Sequence, residues 1–258
     1  MIEFFDSHCH LTDAAFREDR EAVFRRAFDV GVRGLVSIAS DLADSRAAIK
    51  LVEGWSGAWC TVGIHPHEAE AAGPEDMARV AELARDERRV VALGETGLDY
   101  HYDHSPREAQ RTLLDAHLAL GAALDLPVVV HARDADADLI DALRRMPEGT
   151  RGVLHCFVGG PDLLEEALAR GWYASFSGIT SFRSFRGADL LRRVPPERLL
   201  IETDSPYLTP VPLRGTRNEP AFVRYVAEAV AGHLSESLEE VAARTSANAV
   251  RFYGLKES

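Results

Sequence analysis

Short apolar runs alternate with longer amphipathic stretches along nearly the whole chain. Eight runs stand out: EFFDSH (3–8), GLVSIAS (34–40), WCTVGI (59–64), VVALGE (90–95), PVVVHA (127–132), GVLHCF (152–157), WYASFS (172–177) and LLIETD (199–204). Each is rich in β-branched or aromatic residues and has the length of a strand. The intervening AFREDREAVFRRAFDV, MARVAELARDERR and REAQRTLLDAHLALGAAL carry helical periodicity. Strands alternating with helices predict parallel βαβ units. Even spacing and the count of eight favour a closed barrel over an open doubly wound sheet. The open sheet would also call for a GxGxxG turn after its first strand, and the sequence has none. The expected architecture is α/β, a TIM (β/α)₈ barrel forming a single domain over residues 1–258.

Local punctuation agrees. Ser105-Pro106-Arg107-Glu108 reads as a capping box with proline in the first helical position, and Ser237-Leu238-Glu239-Glu240 as another. Gly73-Pro74 and Gly160-Pro161 mark helix starts. Residues 220–254 read as two or three helices that close the barrel.

Composition narrows the class. A length of 258 residues with 46% hydrophobic content suits one barrel. The opening MIEFFDSHCHLTD lacks the basic and apolar regions of a signal peptide, and no stretch reaches the roughly 20 apolar residues of a membrane helix. Cys9, Cys60 and Cys156 are odd in number, with no CxxC spacing. They fit a reducing cytoplasm better than a disulfide framework. The net charge of −12 repels nucleic acid at long range, so a phosphate-bearing substrate must be drawn in locally.

Barrel enzymes keep their chemistry at the C-terminal ends of the strands. His8 and His10 follow the first run, Glu95 ends the fourth, His131 the fifth, His155 the sixth and Asp204 the eighth. Asp6, His8 and His10 share one phase of an extended strand, so all three face one side. Two imidazoles with a carboxylate behind them make a metal arrangement. A hydrogen-bonded core is the plainer alternative for one HxH, and further strand-end histidines weaken it. Glu95 is a candidate bridge between two ions; a salt bridge to a buried arginine would also satisfy it. Asp204 suits a ligand that also takes a proton from water. Glu202, in phase with it, is either a structural or a catalytic hydrogen-bonding group. His65 and His67 either contact substrate or brace their loop, and His101 and His104 are candidate substrate contacts. His117 and His233 fall on helices as packing or surface residues. Cys9 and Cys156 lie out of phase with their neighbouring histidines, as buried small hydrophobes would.

Other chemistries lack their residues. No GxSxG is present. The only lysines, Lys50 and Lys256, are far from any strand end. That argues against a Schiff base, a Walker-type loop and a metal-bridging lysine carbamate.

FFDSHCHL, GETGLDY…SPREAQ, PVVVHARDADAD, HCFVGG and RLLIETDSPYL, in this order, resemble the TatD family of metal-dependent deoxyribonucleases over essentially the whole chain. The resemblance implies a TIM barrel, one or two divalent ions (Mg²⁺, Mn²⁺ or Zn²⁺), and phosphodiester hydrolysis as a 3′–5′ exonuclease on single-stranded DNA. It places metal ligands at His8, His10, Glu95, His131, His155 and Asp204. This chain departs from the family pattern at Thr12, at Val158 and in SFRSFRGADLLRR, where Arg183 stands for the usual lysine with Arg186 beside it. These departures touch substrate contacts rather than ligands. The mechanism expected is a metal-activated water, its pKa lowered from about 15.7 toward about 7, deprotonated by Asp204. Arg133 and Arg183 would hold neighbouring phosphates, unless each serves an ordinary salt bridge. Two other readings use the same residues: a small-molecule amidohydrolase or lactonase, which suits the acidic charge better, and a metal-holding scaffold without activity.

Overall fold

A computed structural model describes residues 2–255; Lys256 lies outside the described residues. All eight predicted strands are present: β1 (Phe4–Cys9), β2 (Val32–Ser37), β3 (Ala58–Val62), β4 (Val90–Asp99), β5 (Val128–Arg133), β6 (Gly152–Leu154), β7 (Tyr173–Phe176) and β8 (Leu199–Ile201). The helices are α1 (Arg20–Asp29), α2 (Leu42–Val52), α3 (Pro74–Asp86), α4 (Arg107–Leu124), α5 (Asp136–Arg145), α6 (Pro161–Ala169), α7 (Ala188–Arg193), α8 (Val223–Leu234) and α9 (Leu238–Phe252). The chain divides into two compact units, Met1–Ser37 with Ala174–Ser258, and Ile38–Tyr173.

In the first unit β1 pairs in parallel with β2, and β7 with β8. Just beyond β8 the chain reaches β1 again, through a parallel bridge between Cys9 and Ser205. Ser7 Oγ donates to Ile201 O at 2.9 Å, and the buried Tyr253 hydroxyl at the end of α9 donates to Ser7 O at 2.7 Å. These bonds fix the first strand against the eighth and the closing helix. The expected cap of that helix is present: Ser237 accepts the Glu240 N–H while Glu240 reaches back to Ser237. Arg26 grips Glu219 with two nitrogens, at 2.8 and 2.7 Å, and Arg217 grips Asp19, tying the loop before α8 to α1.

In the second unit β3, β4, β5 and β6 pair in parallel and in that order. Every residue of β4 is buried, as a parallel strand covered on both faces requires. Its pairing with β5 jumps: Leu93 faces Val128, but Thr96 faces Val130. One extra residue sits on β4 at Gly94–Glu95, which is a β-bulge. Gly94 has φ +124°, where a Cβ would lie 2.6 Å from Val129 O, and Gly97 has φ +133°, where a Cβ would overlap His131 O. Only glycine meets both demands.

Two local expectations are corrected. The fourth strand does not end at Glu95 but runs on to Asp99. Ser105 caps no helix: α4 begins at Arg107 after Pro106, with no side-chain cap. The Ser105 hydroxyl is already committed, donating to His67 O at 2.7 Å and accepting from Glu70 N at 3.1 Å. The Gly73-Pro74 and Gly160-Pro161 starts open α3 and α6 as read.

Candidate metal centre

The first unit carries one donor set at the ends of β1 and β8. His8 lies within β1 and His10 one residue beyond it. Asp204 N–H donates to His8 O at 2.9 Å, and His10 N–H donates to Ser205 O at 2.7 Å, so the backbone itself sets the two segments side by side. Asp204 adopts φ +56°, a region L-residues enter at a cost and aspartate tolerates better than most. The two imidazoles meet with 3.1 Å between their Nε2 atoms. Asp204 Oδ1 stands 3.6 Å from His8 Nε2 and 3.4 Å from His10 Nε2.

Asp6 shares the phase of these histidines, as expected, but serves the β8 exit. Its carboxyl accepts Thr203 N–H at 2.8 Å and meets Thr203 Oγ1 at 2.6 Å. Burial pushes its pKa up to about 8, against the lowering effect of the Thr203 bonds. Thr203 Oγ1 donates to Asp6 Oδ2 and lies 3.0 Å from Ser205 Oγ, whose own hydroxyl can donate to it.

The second unit carries the other donor set. The β4 bulge presents Glu95, 2% exposed. Its Oε1 lies 2.7 Å from His155 Nε2, 3.1 Å from His131 Nδ1 and 3.6 Å from His65 Nε2. His131 Nδ1 and His155 Nε2 are 3.1 Å apart. His155 follows β6 directly, its N–H bonded to Val130 O at 3.1 Å.

Asp99, four residues past Glu95 on the same strand face, organises this set. Its Oδ2 accepts from His131 Nε2 at 3.1 Å and from His67 Nε2 at 3.0 Å. Its Oδ1 accepts the backbone N–H groups of His101 and Tyr102 at 3.0 and 2.9 Å. Burial alone would raise its pKa, but the bonds from His131, Tyr102 and His67 hold it below the ordinary carboxylate range. Burial likewise opposes charge on His131, yet the bonds to Asp99 and Glu95 raise its pKa. Sequence reasoning missed Asp99. The period-2 rule that puts Glu95 and residue 99 on one face was the available signal.

These spacings suit divalent ions. Ligand atoms about 2.0–2.1 Å from one ion lie about 2.9–3.4 Å from each other, and most of the separations above fall in or near that range. His131 also shows the usual outer-shell arrangement, in which one ring nitrogen donates to a carboxylate and the other is left for a metal. His65 differs. Its Nδ1 accepts the His67 N–H at 3.2 Å, so in the neutral ring Nε2 carries the hydrogen and faces Glu95 as a donor.

Glu202 joins the first set: it is buried just past β8, its N–H donating to Phe176 O at 3.1 Å, and a carboxylate oxygen lies within 4.8 Å of a His8 ring nitrogen. The remaining candidates disperse. Arg133 ends β5 with its guanidinium carbon 4.9 Å above the Tyr102 ring. Arg183 and Arg186 are exposed after β7, Arg186 donating to Arg183 O at 2.9 Å. His101 pairs with Asp134 at 3.1 Å, and His104 stacks on Tyr102. His117 is a core residue, bonded to Leu113 O and Ile64 N, and His233 bonds Thr180 O. Cys9 is buried as expected. Cys156, with φ +43°, is only half-buried.

Comparison with known proteins supplies the rest. The sequence model of TatD related DNase matches residues 5–254. The 3′-5′ ssDNA/RNA exonuclease TatD of Pantoea vagans is 38% identical, over 97% of this chain and 99% of that protein. An uncharacterized metal-dependent hydrolase of Bacillus subtilis, YabD, is 37% identical over 96% and 98%. The crystal structure of YJJV, a TatD homologue from Escherichia coli, superposes with a TM-score of 0.90 at 28% identity, covering 98% of each chain. Eight parallel strands in chain order give the same fold class, a (β/α)₈ barrel. End-to-end matches of this kind, around a histidine and carboxylate donor set, place the chain in the TatD family of metal-dependent hydrolases.

Proposed function

We propose that this hydrolase cleaves phosphodiesters of DNA, as a 3′–5′ exonuclease on single strands, in a cytoplasm whose reducing conditions suit its three free thiols. We assign ion binding to His8, His10 and Asp204 in one unit and to Glu95, His131 and His155 in the other. The observation that carries this reading is the spacing of nitrogen and oxygen donors within each set. The relatives named as ssDNA/RNA exonucleases supply the substrate class.

Divalent ions so held supply charge stabilisation at phosphoryl oxygens and a water of lowered pKa. The chain's own residues do the remaining work. The Asp204 carboxylate accepts the proton of the attacking water. Asp99 keeps the His131 hydrogen on Nε2 and so leaves Nδ1 as a lone pair. His65 Nε2–H donates to an oxygen of the substrate. Arg133 and Arg183 bind flanking phosphates, and Glu202 stays a candidate substrate contact.

The test is time-resolved digestion of end-labelled single-stranded DNA with Mg²⁺, Mn²⁺ or Zn²⁺. Wild type shortens the strand from its 3′ end, and Asp204→Asn and His131→Ala each lose at least about a hundredfold in rate. Near-native rates in both variants would overturn the assignment. The net charge of −12 favours a second reading, a small-molecule amidase or lactonase. Turnover of amides or lactones with inert DNA would establish it instead.

A further inference from the structure

We propose that Tyr102 and Arg133 together form a nucleotide subsite beside His131, the guanidinium taking a phosphate and the phenol ring stacking on the adjoining base. The inference rests on the nuclease reading above and adds how the strand is gripped.

Tyr102 is 54% exposed, unusual for a ring on a loop this firmly held. The Asp99 carboxylate accepts the Tyr102 N–H. Ser105, three residues on, is buried and bonded to His67 O, and Gln110 Nε2 donates to Ser105 O at 2.8 Å. A fixed loop that keeps a large ring in water gains nothing for the fold from that exposure. Surrounding rings hold its orientation. His104 lies parallel at 5.7 Å and 2°, and His67 and His101 stand edge-on at 5.8 and 4.9 Å.

Arg133 supplies the second half. It lies two residues after His131 on β5, its guanidinium over the Tyr102 ring, and among the described residues no carboxylate pairs with it. The nearby acids are spoken for: Asp103 by Arg107 at 3.0 Å, Asp134 by His101 at 3.1 Å, and Asp138 by Arg111 at 2.9 Å. A cation seated on an aromatic face keeps its N–H donors available for a phosphate. An aromatic ring beside a phosphate-holding arginine is how proteins grip single strands without reading sequence. His67 bridges this pair to the donor set, edge-on to Tyr102 and bonded to Asp99.

The experiment compares single-stranded oligonucleotides with abasic analogues in which one of the last three sugars lacks its base. For wild type, removing the base at one position raises KM on the order of tenfold, with kcat little changed. Tyr102→Ala raises KM for the intact strand by a similar factor, and the abasic substitution then adds nothing. Tyr102→Phe, which keeps the ring, behaves as wild type, and Tyr102→Leu, which keeps bulk without it, behaves as the alanine variant. A 2-aminopurine at the same position is quenched on binding to wild type and not to Tyr102→Ala. If Tyr102→Ala raises KM equally for intact and abasic strands, or leaves it unchanged, the subsite is wrong while the nuclease reading stands. If wild type cleaves neither strand, both fall together.

Discussion

At the scale of single residues, His117 offers the clearest pH test. Ile64 N–H donates to its Nε2 at 3.3 Å, so the hydrogen sits on Nδ1 and bonds to Leu113 O at 2.9 Å. Burial pushes its pKa down to about 4, from 6.5 for a free ring. Between those values the unfolded chain binds a proton that the folded chain refuses. This contribution to stability is therefore complete above about pH 6.5 and is lost as pH falls toward 4, amounting to about 3 kcal/mol. Urea unfolding across that window should show a shallower decline for His117→Gln than for wild type; parallel curves would refute it. The sequence marked His117 only as a helical packing or surface residue. Its role depends on a loop more than fifty positions away, which no local pattern reveals.

At the scale of elements, the β4–β5 pair concentrates the constraints. Gly97 sits at φ +133° with the His131 backbone where a Cβ would go. Gly97→Ala should cost about 2–4 kcal/mol in chemical denaturation, from backbone strain and overpacking together. Gly149→Ala, with positive φ but open space around it, should cost about 1–2 kcal/mol. Equal costs would show that crowding at Gly97 is relieved by movement. The eight strands were legible because buried β-branched runs are short and self-contained. The histidines of the two donor sets were legible because they sit where such runs stop. The bulge was not, since every residue of β4 is buried and leaves no hydrophobic-polar alternation whose phase an inserted residue would shift. Nor was the true use of Ser105, since a serine before a proline and an acid reads as a cap until a distant carbonyl claims its hydroxyl.

At the scale of the whole molecule, charge sets how substrate can be held. With 41 acidic against 29 basic side chains, the protein as a whole repels a long phosphate backbone, and any grip on it must come from locally placed arginines. Each phosphate contact on a single strand contributes about 0.7 to the slope of log affinity against log salt. Contacts at Arg133 and Arg183 alone give a slope of about −1.4, measurable as KM between 50 and about 300 mM salt; a slope steeper than about −3 would require a basic groove elsewhere. Among the described residues no helix is long and apolar enough to cross a membrane. Loops in general vary more freely than the strands they join, and here Asp99 limits that freedom. Because one carboxylate clasps loop amides with one oxygen and imidazoles with the other, a transplanted loop that moved its amides would also twist His131. Any change at residues 100–104 must therefore keep the backbone path and vary only the side chains it displays.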